Sequence, residues 1–148
     1  MAAATTGSNN VGIGGLALDA LTTASDNTAV GMQAFTTLTS GTANVGLGFR
    51  AGYQATAESN ITAIGYSTLF AANPGSNTTA VGTEALKSAT GNDSTAVGYR
   101  ALYSNTTGSA NTAVGRESSG SVTTGLNNTT VGYRSGYNLT TSSSHRGS

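Results

Sequence analysis

This sequence predicts an all-β fold, a parallel β-solenoid (β-roll) of eight coils of about 17 residues, and two observations carry the prediction. The first is a period. An aliphatic residue followed at once by glycine stands at Ile13, Val30, Leu47, Ile64, Val81, Val97, Val114 and Val131, at intervals of 17 residues with one interval of 16. Repeats of this length mark stacked units, none of which buries its core alone. The second is an alternation within each unit. Two residues before the aliphatic marker comes Val11, Thr28, Val45, Thr62, Thr79, Thr95, Thr112 or Thr129, and period 2 with β-branched residues is a short strand. Only 8% of residues are charged and small polar residues dominate, a composition that also suits a disordered linker. A linker, however, has no cause to hold an aliphatic residue in register through eight repeats.

The period divides the chain into a lead-in at 1–7, the solenoid at 8–139 and a tail at 140–148 that drops out of the repeat and reads as a flexible end. Within a coil the elements follow in order. The strand puts the marker column, Ile13 to Val131, on one face with the β-branched column, and these eight aliphatic residues are the expected core. The opposite face carries Gly12, Ala29, Gly46, Ala63, Ala80, Ala96, Ala113 and Thr130, then the glycine that follows each marker. So bare a face admits the close approach of another backbone. Ala29, Gly31, Ala63, Gly65, Ala80, Gly82, Ala96, Gly98, Ala113 and Gly115 are therefore the expected interface between chains.

After the glycine comes an aromatic-rich column with Met32, Phe49, Tyr66, Tyr99 and Tyr133, then a polar one. Leu18, Phe35, Leu69, Leu86 and Leu102 follow and are expected to fill the same narrow core from a second strand, with Leu21, Leu38, Val122 and Leu139 three residues further on. A turn with Gly7, Gly41, Gly75, Gly91, Gly108 and Gly125 closes the coil, and Pro74, the one proline, sits in it. The polar column holds Arg50, Glu84, Arg100, Glu117 and Arg134. Stacked about 4.8 Å apart, the last four are expected to alternate in sign along the fibre axis. The apolar side chains of one coil fall short of its ordering cost, so an oligomer is expected.

Several chemistries lack material. Six basic and six acidic residues cancel, leaving no electrostatic footprint for nucleic acid, and no apolar run is long enough for membrane insertion. There is no cysteine, and the lone His145 stands in the tail, so neither a catalytic triad nor a histidine metal site is expected. Gly12-Ile13-Gly14-Gly15-Leu16-Ala17 and Gly46-Leu47-Gly48-Phe49-Arg50-Ala51 match a dinucleotide fingerprint in letters only, because no helical period follows. Asp19, Asp26, Glu58 and Asp93 are isolated, so no cofactor or metal is expected.

The recurring Thr95-Ala96-Val97-Gly98-Tyr99-Arg100-Ala101-Leu102 and Asn111-Thr112-Ala113-Val114-Gly115 resemble the head repeats of trimeric autotransporter adhesins and are similar to repeats in bacteriophage tail fibres. The resemblance implies a left-handed β-roll, a homotrimer and an extracellular role, in which a fibre without catalysis meets a host-surface or matrix glycan or protein. The adhesin repeat is shorter than this one, and no neck, coiled-coil stalk, membrane anchor or endosialidase-type chaperone is recognisable, which favours a fibre segment. Uncapped sheet edges add an expectation of end-to-end stacking into filaments. A second reading is an ice-binding solenoid that presents stacked threonines. The strand threonines, sharing the aliphatic face, are expected to point inward, which leaves Thr22, Thr39, Thr56, Thr90, Thr106, Thr123 and Thr140 as the outward candidates.

Overall fold

The computed structural model describes residues 6–71 and 73–147, and within them the chain is a β-solenoid of about eight turns with no helix. Each turn contributes one three-residue strand: β1 Val11–Ile13, β2 Thr28–Val30, β3 Val45–Leu47, β4 Thr62–Ile64, β5 Thr79–Val81, β6 Thr95–Val97, β7 Thr112–Val114 and β8 Thr129–Val131. They form one parallel sheet in chain order, with marker opposite marker at every step. The short interval between Val81 and Val97 leaves this register intact. Thr79 still pairs with Thr95, while Thr90 donates to the Thr106 carbonyl at 2.6 Å, so the missing residue lies in the turn before Gly91. A turn tolerates a deletion that a ladder does not.

The tail departs from expectation. Arg146–Gly147 is a ninth strand, β9, paired in parallel with β8, and the Thr129 N–H donates to the His145 carbonyl at 2.7 Å. These residues therefore start a further coil. The backbone groups on the outer edge of β8 supply the reason, since they need partners.

The two faces of the strands are exchanged relative to expectation. Ala29, Ala63, Ala80, Ala96 and Ala113 are fully buried inside the coil, whereas the markers expected in the core face out: Ile13 is 59% exposed, Leu47 46%, Val114 37% and Val131 50%, with Val30, Ile64, Val81 and Val97 half-buried. The interior is too narrow for aliphatic side chains from every side. It is already filled by Leu18, Phe35, Leu69, Leu86 and Leu102 together with Leu21, Leu38 and Val122, and only a methyl group fits beneath the sheet. The first five reach the core as expected but from a turn with φ near +50°, not from the second strand expected of them.

The glycine column proves to be an approach of backbone to backbone, but within the chain. Gly82 has φ +128°, and a Cβ on it would lie 2.6 Å from the carbonyl oxygen of Gly98 in the next coil. The same holds for Gly31, Gly65, Gly98 and Gly115, so the close approach that the glycine column marks is between successive coils of one chain. The turn residue four before each marker is also left-handed; Asn9, Asp26, Asn60, Asn77, Asp93 and Asn127 suit it because Asn and Asp tolerate that conformation, while Ala43 and Ala110 hold it in the other two coils.

Packing is complementary from coil to coil. Phe35 takes a position where leucine is usual, and the next coil yields: a Cβ on Gly46 would lie 2.7 Å from Phe35 Cε2, and one on Gly52 would also strike the ring. Gly46→Ala, although alanine fills this column in five other coils, is therefore expected to cost about 1–3 kcal/mol by overpacking. Adding Phe35→Leu should recover most of that loss. A urea double-mutant cycle measures the coupling, and additive costs would count against the contact.

Asparagines three residues before the markers form a buried ladder. Asn44 Oδ1 accepts from the Ile61 N–H at 2.9 Å, and its Nδ2 donates to the Glu58 carbonyl at 2.9 Å; Asn27, Asn111 and Asn128 repeat the pattern.

Candidate functional site

Two surfaces carry the features that function can use. The first is the outer face of the sheet. Val11, Thr28, Val45, Thr62, Thr79, Thr95, Thr112 and Thr129 run beside the aliphatic markers, all of them exposed or half-buried. Register keeps both columns straight, about 4.8 Å per step. The hydroxyls of these strand threonines have no protein partner among the described residues, contrary to the expectation that they point inward. The column expected to face out is tied down. Thr39, Thr90, Thr106 and Thr123 donate their hydroxyls to the carbonyl of the next coil at 2.8–3.1 Å, stitching the stack together.

The second surface is the corner after the glycines. Phe49 stacks on Tyr66 with centroids 5.3 Å apart, and Tyr53 on Phe70 at 5.1 Å. Guanidinium groups cover rings on the same corner. Arg50 lies 4.9 Å from the Phe49 centroid, Arg100 5.0 Å from Tyr103, and Arg134 4.2 Å from Tyr137. Cation–π contact and ring stacking both hold these side chains in place.

The charged column forms two ion pairs and not one continuous chain. Arg100 Nε lies 2.7 Å from Glu84 Oε2 and Arg134 Nε 3.3 Å from Glu117 Oε2, while Arg100 and Glu117 form no ion pair. Lys87 adds a 2.6 Å contact to Glu84. The Lys87 ammonium, with Arg100 beside it, holds the Glu84 carboxyl below its ordinary value of 4.5, and the same bond raises Lys87. A carboxylate lowered on folding stabilises the chain above its unfolded pKa, and that contribution is lost as pH falls through the folded one. Glu84→Gln should therefore lower stability at pH 7, and the gap from the parent chain should close below about pH 4. Urea midpoints across this range test it; a gap independent of pH would assign the loss to packing.

Between the two ion pairs lies a cleft at Gly120, floored by Tyr137 and walled by Tyr103. The one sequence signal of this gap is a glycine where the neighbouring coils carry tyrosine. Among the described residues no group of three His, Asp or Glu side chains comes together as a metal site, and no helix is long and apolar enough to cross a membrane. Compared with protein-family models, curated proteins and solved structures, the chain finds no match.

Proposed function

We propose that this chain is a non-enzymatic fibre segment, the shaft or head of an extracellular adhesive fibre of the tail-fibre or adhesin kind, in which three copies associate through the outer sheet face. The observation that carries the reading is the outward aliphatic column, eight markers in register, exposed or half-buried, with Val11 and Val45 beside them. An apolar strip of this length, rimmed by threonines, is what an association surface looks like. It replaces the Ala/Gly face, whose alanines are sealed inside the coil. Light scattering should return three times the 14.5 kDa chain mass. Val97→Asp with Val114→Asp, both pointing outward, should release monomers without touching the interior; a parent chain that is already a monomer would end the reading.

The outward strand threonines favour a second reading, ice binding, since free hydroxyls and methyls repeat in register from coil to coil. Assembly through this face would cover it, so the two readings exclude each other. A monomer with thermal hysteresis that disappears in Thr95→Tyr with Thr112→Tyr would select the second.

A further inference from the structure

The column six residues after the markers reads Asp19, Thr36, Tyr53, Phe70, Lys87, Tyr103, Gly120 and Tyr137. Where adjacent coils both carry rings, as at Tyr53 and Phe70, the rings lie 5.1 Å apart with planes 9° from parallel, so each level of the stack holds one ring. At Gly120 the level is vacant. The resulting cleft measures about 230 Å³, below the 300–1,000 Å³ of pockets that take drug-sized ligands, and suits one six-membered ring.

The chemistry of the walls is mixed. Tyr103 and Tyr137 offer aromatic faces. Ser104 and Ser121 line the same cleft, and neither hydroxyl has a protein partner among the described residues, so each can donate and accept. Arg100 and Glu117 complete it, and both charges are already answered elsewhere: Arg100 by Glu84, and Glu117 by Arg134 at 3.3 Å and Arg116 at 3.5 Å. Of the charged side chains in these pairs only Arg100 and Glu117 line the cleft, one of each sign, so a ligand here meets a donor edge and an acceptor edge. Apolar faces above and below hydrogen-bonding groups of both kinds match a sugar ring, which has C–H faces and a rim of hydroxyls. A carboxylated sugar would confront Glu117.

We infer that the Gly120 cleft binds one neutral pyranose ring of a glycan, stacked on Tyr137 with its hydroxyls on Ser104, Ser121, Arg100 and Glu117. This rests on the adhesive part of the function proposed above and not on the trimer. A single shallow site binds weakly, and several copies on one fibre would raise the avidity without further contacts.

The test uses saturation-transfer NMR on the full chain with a panel of neutral methyl hexopyranosides and, as the anionic member, the methyl glycoside of N-acetylneuraminic acid. Transfer to at least one neutral pyranoside is expected, falling at least tenfold in Gly120→Tyr and several-fold in Ser121→Ala. Gly120 lies outside the left-handed region, and a Cβ there meets the Tyr137 ring at 3.0 Å and the Glu117 carbonyl oxygen at 3.2 Å, contacts that shifts of a few tenths of an ångström relieve, so the first variant should fold and complete the column. Undiminished transfer in Gly120→Tyr would overturn the assignment, as would transfer to the anionic sugar alone or to none. Light scattering on the same samples separates the two readings. A monomer that binds the pyranoside keeps the cleft and removes the trimer, whereas a trimer that binds none removes the cleft.

Discussion

Gly82→Ala should destabilise the chain by about 4 kcal/mol, combining about 1–3 kcal/mol for a left-handed alanine with a similar cost for overlap. The overlap has no escape. The obstructing atom is the Gly98 carbonyl oxygen, which belongs to the next coil, and both coils are fixed by the ladder, with Gly82 N–H donating to the Ile64 carbonyl at 2.7 Å and Gly98 N–H to the Val81 carbonyl at 2.8 Å. A side chain could swing aside; a backbone carbonyl that also accepts from the Ala101 N–H at 3.3 Å cannot. Gly15→Ala is the control, because a Cβ there meets only the Met32 side chain at 3.8 Å and should cost well under 1 kcal/mol. Urea midpoints at unchanged slope measure both, and equal costs at the two positions would refute a role for the close approach.

Asn44→Leu is expected to cost about 2–4 kcal/mol, because it orphans one buried and one part-buried backbone group at about 1–3 kcal/mol each. The Ile61 N–H loses its acceptor and the Glu58 carbonyl loses its donor, both bonds being 2.9 Å. The chain itself contains the intermediate case: in the same column Ser94 Oγ accepts from the Asn111 N–H at 3.3 Å. Asn44→Ser should therefore fall between the parent chain and Asn44→Leu. Hydrogen exchange at the Ile61 amide gives a local readout, since its protection should drop more than that of amides three coils away. Uniform loss of protection would mean that the ladder acts only through global stability.

The distinction between these two residues shows where reading the sequence stops. A period of 17 with a strand alternation was sufficient to derive a parallel solenoid, its coil count and its register, because stacking requires equivalent residues to lie opposite one another. The need for glycine after each marker was also legible as a close backbone approach. Its partner was not, because a one-dimensional pattern does not say whether the approaching backbone belongs to the next coil or to another chain. Phe35 against Gly46 and Gly52 was hidden likewise, since two small residues 11 and 17 positions on look like noise in two separate columns.

The largest difference concerns inside and outside. Alternation along β2 to β8 established that two faces exist, and hydrophobicity assigned the aliphatic one to the core. Tertiary structure reverses this, because a coil of 17 residues encloses so little space that leucines from the other wall exhaust it, leaving room only for alanine under the sheet. The strand threonines and aliphatic markers are thereby turned outward together, and both functional readings now stand on that face. The Gly120 cleft follows the same rule. Sequence determined that the column loses its side chain at Gly120; only the stacking of coils decided that the gap opens between two tyrosines, beside two serines and an ion-paired arginine and glutamate.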